Sequence, residues 1–244
     1  MHTKRNEVRS VSRRALLLLL LLLSLIPATL GTASDPNMRQ VFSPYWSIAG
    51  GYESVVQLHN NLVGQALSVR PVLLSPDGVR LELDEIKIGP NANASLDIRD
   101  ALAKNHSAMQ SGSAVFEYSH PSGSALLAET AVTQPDETMA YTIAATELGA
   151  STAGQHAVFW LPSAQAGAYI AVQNTSAATL HISAAFESTG PPAPFISLTL
   201  SPNASQVIEM PLANLWKGHG NRSDVFGAVV LAHDGPDSSL NASG

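Results

Sequence analysis

Histidine is the side chain here best suited to chemistry near neutral pH, because its imidazole both binds metals and moves protons. The chain has eight, His2, His59, His106, His120, His156, His181, His219 and His233. No two stand at i, i+2 or i+4, the local pairing from which zinc and iron sites usually grow. The spacing predicts dispersed surface histidines and no metal site, with His59 and His181 on the polar faces of strands. Asp84, Glu85, Asp97 and Asp100 are close enough in sequence for acid/base or calcium chemistry, but the Asp-x-Asp-x-Asp-Gly spacing of a calcium loop is missing. They read as solvated strand faces. No Gly-x-Ser-x-Gly elbow, His-Glu-x-x-His motif or phosphate-binding loop occurs. There is no cysteine, so disulfides, thiolate metal sites and cysteine nucleophiles are excluded. The expectation is a non-enzymatic protein with no catalytic residue and no cofactor.

Aromatic side chains are the remaining candidates, since their faces can pack on sugar rings. Tyr45, Trp46 and Trp216 are the candidate ligand contacts, and Trp216 has the most polar surroundings, Asn214-Leu-Trp-Lys-Gly-His. Trp160 sits in an apolar run and is expected in packing. Asn-x-Ser/Thr sequons occur at Asn93, Asn105, Asn174, Asn203, Asn221 and Asn241; they are glycan acceptors in a eukaryotic secretory pathway and turn chemistry in a bacterium. The leader and the absence of cysteine favour a bacterium.

The elements that must position these residues are organised around a repeat. Ile86–Ile98, IKIGPNANASLDI, returns as Leu198–Met210, LTLSPNASQVIEM, at a spacing of 112 with no gap. Around it, Val56-x-Leu58-x-Asn60 returns as Ile170-x-Val172-x-Asn174 at 114, and Leu67-x-Val69 as Leu180-x-Ile182 at 113. Val158-Phe159-Trp160 is matched to Val41-Phe42, and Gly227-Ala228-Val229 to Ser113-Ala114-Val115. Apolar residues alternate with polar ones, the period of a half-buried strand. Ser43-Pro44 is expected to break the first strand, and Pro71 to kink its own strand or place it at an edge. A bulge or bend is expected around Asp84-Glu85, a helical turn at Asp100–Lys104, pairing of Leu96 and Ile98 back across the Gly89–Ala94 turn, and a hairpin across His120–Gly123. The second copy stops at Gly244, where the first copy's last strand is beginning, so its last strand is expected to be missing.

With about seven short strands per copy, the pattern predicts an all-β chain of two tandem antiparallel β-sandwiches. Strand count and Pro-Asn and Pro-Asp-Gly turns resemble the tandem immunoglobulin-like or fibronectin-type-III-like repeats of exported bacterial proteins. That resemblance implies a fold and carries no catalytic residue.

The N-terminus predicts export. Lys4, Arg5, Arg9, Arg13 and Arg14 precede the apolar run Ala15–Ile26, and Gly31-Thr32-Ala33 supplies small residues for cleavage before Ser34, so residues 1–33 read as a signal peptide. The run is too short for a bilayer-spanning helix, which needs ~20 residues. The remaining chain has 8 basic and 18 acidic residues, a net charge of −10, which argues against nucleic acid or an anionic membrane as partner. The expected boundaries are 34–147 for the first domain, 148–156 for a small, polar linker and 157–244 for the second. The expected role is an exported structural, adhesive or protein-interaction module, secreted, periplasmic or at the cell surface. Its partner would be a cell-surface protein or a polysaccharide, with a carbohydrate-binding accessory module as the alternative.

Overall fold

A computed structural model describes residues 35–134, 137–147, 155–160, 169–187, 193–209, 227–236 and 238–244. The leader, residues 148–154 of the expected linker, and Trp216 lie outside them. In the first half the strands are β1 (Met38–Ser47), β2 (Glu53–Asn60), β3 (Leu67–Leu74), β4 (Arg80–Glu82), β5 (Ile86–Ile88) and β6 (Asn93–Asp97). Helix α1 (Ile98–Lys104) follows, then β7 (Ser111–Ser119), β8 (Leu126–Gln134), β9 (Glu137–Ala144) and β10 (Thr146–Glu147). The second half contains β11 (Gln155–Trp160), β12 (Tyr169–Asn174), β13 (Leu180–Glu187), β14 (Ala193–Leu200), β15 (Ser205–Glu209), β16 (Gly227–His233) and β17 (Leu240–Ser243).

Among the described residues four antiparallel sheets form, two in each half. Sheet I runs β10-β1-β7-β3-β4 with β5 also on β3, and sheet II runs β6-β2-β8-β9. Sheet III runs β11-β16-β13-β14 and sheet IV runs β15-β12-β17. The first core lies between sheets I and II and includes Trp46, Val56, Leu58, Val69, Phe116 and Tyr118. A separate core, with Ile170, Val172, Ile182, Phe186, Val229 and Leu231, fills the second half. The chain is thus all-β and forms tandem sandwiches, as the alternation predicts.

Cross-strand register carries the duplication further than sequence matching does. Val56 faces Leu96 as Ile170 faces Ile208, and Asn60 faces Leu126 as Asn174 faces Leu240. Leu67 faces Ile88 as Leu180 faces Leu200, and Val69 faces Tyr118 as Ile182 faces His233. Trp46 faces Gly112 as Trp160 faces Gly227. The last pair corrects the sequence match: by register Trp160 answers Trp46, not Val41-Phe42, and Gly227 answers Gly112, not Ser113. Asn91 and Asn203, 112 residues apart, both take the left-handed backbone conformation, with φ of 49° and 60°. Asparagine tolerates that region because its short polar side chain bonds locally.

Several local expectations change. Ser43-Pro44 does not end β1; the ladder to β7 continues past it with a register shift between Ser43 and Trp46, a bulge that absorbs the missing proline N–H. β3 is an interior strand, paired with β7 on one side and with β4 and β5 on the other. Pro71 is accommodated because its outer neighbour is split there: β4 stops at Glu82, β5 starts at Ile86, and between them Leu83 N–H donates to Pro71 O at 3.0 Å. The break near Asp84-Glu85 is therefore real. Leu96 does not pair back on Ile86–Ile88, because β6 crosses to sheet II and pairs with β2. β7 and β8 likewise lie in opposite sheets, so the His120–Gly123 connection is a corner between sheets and not a hairpin. An immunoglobulin domain keeps its strands in the orders ABED and CFG, with its first two strands side by side. Here β1 and β2 sit in opposite sheets, so the resemblance reaches the sandwich architecture and not the strand order.

A third, small apolar cluster of Phe42, Val72, Leu74 and Val115 lies on the outer face of sheet I, away from the first core. It is buried because the second half covers it. Asn241 Nδ2 donates to Phe42 O at 3.0 Å, and Ser205 N–H donates to Pro76 O at 3.0 Å. Residues 36–244 accordingly form one compact unit despite their two cores.

Candidate functional site

Of the three sequence-predicted aromatic contacts, Tyr45 and Trp46 lie among the described residues. Trp46 is fully buried in the first core, and its indole Nε1–H donates to Ser113 O at 2.7 Å. The β1 bulge changes which face Trp46 presents. Its ring is core packing and meets no surface ligand. Tyr45 is half-buried in the same bulge. Trp216 is outside the described residues.

The carboxylates have local duties. Asp97 caps α1, its Oδ1 accepting from Asp100 N–H at 3.0 Å, and Asp84 pairs with Lys104 at 2.6 Å on the exposed rim. His59 Nδ1 meets Asn93 Oδ1 at 2.7 Å across two strands, and His120 Nδ1 accepts from Ser122 N–H at 3.0 Å. Among the described residues no group of three His, Cys, Asp or Glu side chains is placed to hold a metal ion. Among them, too, no helix is long and apolar enough to cross a membrane. The sequons at Asn174 and Asn241 are used by the fold, because both side chains are buried and their Nδ2 atoms donate to backbone carbonyls.

Two polar faces remain, and they occupy equivalent places in the two halves. In the first half, the outer face of sheet I beyond the apolar cluster carries an ion-pair network. Glu117 Oε2 accepts from Arg70 Nε at 3.0 Å, and Glu117 Oε1 accepts from Gln40 Nε2 at 3.1 Å and from Arg80 at 3.4 Å. Burial pushes the Glu117 carboxyl up, but the hydrogen bonds from Arg70 and Gln40 and the charges of Arg70 and Arg80 outweigh it and hold the group below its usual value. A depressed folded pKa stabilises the fold above the unfolded carboxylate pKa, and that contribution is lost as pH falls through the folded value. Glu117→Gln is therefore expected to flatten the acid limb of a urea-stability profile as pH falls below the ordinary carboxylate value, while costing only about 1 kcal/mol at pH 7, since Arg70 is half exposed. An unchanged acid limb would show the network to be without linkage.

In the second half the corresponding face is open. By register Arg70 becomes Ser183, Glu117 becomes Ala232, Lys87 becomes Thr199 and Ser68 becomes His181. The long charged side chains have been replaced mostly by short ones, and a cleft of about 500 Å³ opens there. It is lined by His181, Ser183, Ser197, Thr199, Ala232 and Asp234, among others. Within it His181 Nδ1 meets Thr199 Oγ1 at 3.0 Å, and His181 N–H donates to Asp234 Oδ1 at 2.9 Å. Sequence reading missed this site because small serine and alanine residues form no motif. The available signal was the loss of Arg70 and Glu117 between matched positions.

Comparison with known proteins finds no matching family model, no matching curated protein and no matching solved structure.

Proposed function

We propose that the chain is an exported, non-enzymatic interaction or adhesive module that works at the cell surface or in the periplasm, with residues 34–147 and 157–244 as its two repeats. The observation that supports this reading best is the duplication itself. Two sandwiches with separate cores and a shared seam form one block that carries two diverged copies of the same outer face. Such a block presents surfaces at a fixed separation, which binding and spacing need. In the first half, three carboxylates have structural partners: Asp97 caps a helix, Asp84 pairs with Lys104, and Glu117 pairs with Arg70. The test is fractionation of cells producing the full chain with a C-terminal tag, together with protease shaving of intact cells. Recovery of a species shortened by the leader in the envelope or medium is expected, and a full-length cytoplasmic species would refute the reading. A second reading, carbohydrate binding, is favoured by the cleft on sheet III.

A further inference from the structure

The geometry points to the sheet III cleft of the second half as a binding site for a neutral saccharide, a proposal that rests on reading the chain as a binding module. Within the chain, the first half supplies the reference state. There the equivalent face is filled by the Arg70–Glu117 pair, with Arg80 and Gln40 closing over the carboxylate. In the second half the positions of that pair hold Ser183 and Ala232, which face each other across β13 and β16. The duplicate has therefore exchanged a self-satisfied charged surface for a recess. At about 500 Å³ the recess is a shallow, open depression and not an enclosed pocket.

The lining selects the ligand class. No Lys or Arg contributes to it, so a phosphate or uronate would meet no cation and would face the Asp234 carboxylate. A single carboxylate, already accepting from His181 N–H, is a poor home for a cation. An apolar ligand would strand the hydroxyl and imidazole groups without partners, which is costly. Ser183, Ser197 and Thr199 each donate one hydrogen bond and accept others, as sugar hydroxyls do, while Asp234 adds acceptor capacity and His181 an imidazole edge. Ala232 leaves a small apolar floor among them, the kind of surface on which the C–H face of a pyranose ring can lie.

The experiment uses the full exported chain in affinity electrophoresis against neutral polysaccharides (β-glucan, mannan, xylan and galactan), with a polyuronate as the anionic control. Retardation by at least one neutral polymer, and none by the polyuronate, is expected. The double variant S183R/A232E rebuilds the first half's ion pair in the second and is expected to weaken that retardation at least tenfold in apparent Kd. T199A is the milder check, expected to weaken it several-fold, with circular dichroism confirming that both variants keep the fold. If no neutral polymer retards the chain, the proposal is overturned while the envelope fractionation above still judges the module reading. If retardation occurs and folded S183R/A232E and T199A bind as well as the parent, the chain binds sugars elsewhere and this site is overturned.

Discussion

Replacing either Asn60 or Asn174 with alanine is expected to destabilise the protein by about 3 kcal/mol, a shift in Tm of roughly 6–12 °C. Both side chains are fully buried, and they make the same bonds in the two halves. Asn60 Nδ2 donates to the carbonyls of Gln65, Ile88 and Gly89 at 2.8, 3.1 and 2.8 Å, and its Oδ1 accepts from Leu62 N–H at 3.0 Å. Asn174 Nδ2 donates to Ala178, Leu200 and Ser201 at 2.7, 3.0 and 3.0 Å, and its Oδ1 accepts from Ser176 N–H at 2.9 Å. Each asparagine ends a strand of one sheet and holds the last carbonyl of a strand in the other, so it pins the corner where the chain changes sheets. Alanine would leave those carbonyls buried without the donor, and an unmade buried hydrogen bond costs more than a made one contributes. Aspartate is the sharper variant. It keeps the shape but brings a negative charge against two or three carbonyl oxygens, so N60D and N174D are expected to be worse than alanine at pH 7. They should recover in part below the carboxylate pKa, where a protonated oxygen can donate. Urea unfolding supplies the magnitude, and hydrogen exchange should place the loss mainly in the half that carries the substitution. A cost below 1 kcal/mol at both sites would mean that the corners are held by packing alone.

The repeat that carries these asparagines is plain in the sequence, and the reason is physical. Alternation marks which face of a strand is buried, and a buried asparagine ending an apolar alternation, as in Val56-x-Leu58-x-Asn60, survives duplication because the corner depends on it. Which strands become neighbours is less legible. Alternation has the same period whether a strand pairs with the one before it or crosses to the other sheet, and the Pro90-Asn91 turn, with Asn91 at positive φ, serves a corner as well as a hairpin. Hence β5 and β6 read as a returning pair when they belong to opposite sheets. Trp46, a candidate contact by its residue type, lies in the core because the bulge in the Pro44-Tyr45 segment turns it inward.

The seam between the halves had a signal that alternation arguments pass over. Val41-Phe42, Val72-Leu73-Leu74 and Ala114-Val115-Phe116 are apolar on consecutive positions, the mark of strands buried on both faces. Val41, Leu73, Ala114 and Phe116 serve the first core, and Phe42, Val72, Leu74 and Val115 form the cluster that the second half covers. The same segments that build the first sandwich thus also announce that something docks on it. What docks was not legible, because the covering row on sheet IV is polar. Ser205, Gln173 and Asn241 lie side by side across β15, β12 and β17, and all are buried.

Gly78→Ala is expected to undock that seam. Gly78 closes the Ser75-Pro76-Asp77-Gly78 turn with φ of +88°, and a Cβ there would collide with Pro202 O and stand 3.3 Å from Ala204 N in the second half. These are backbone atoms of the matching Pro-Asn turn, so they cannot rotate aside as a side chain would. The turns must separate, and the bond from Ser205 N–H to Pro76 O is lost with them. The expected cost is about 2–4 kcal/mol, the sum of a left-handed alanine and an overpacked contact. Gly50→Ala separates those two effects. Gly50 has φ of +61° and open space within 4 Å of its would-be Cβ, so it carries the backbone penalty alone. G78A should therefore show what G50A does not: a larger radius of gyration by X-ray scattering and greater binding of an apolar dye to the uncovered Phe42, Val72, Leu74 and Val115 cluster. N241A removes the other seam bond, to Phe42 O, and in an already opened seam it has little left to break. The double variant G78A/N241A should accordingly cost less than the two single changes added together. If G78A matches G50A in scattering and dye binding, or if the two seam substitutions add fully, the halves are joined by the chain alone and the buried face of sheet I needs another explanation.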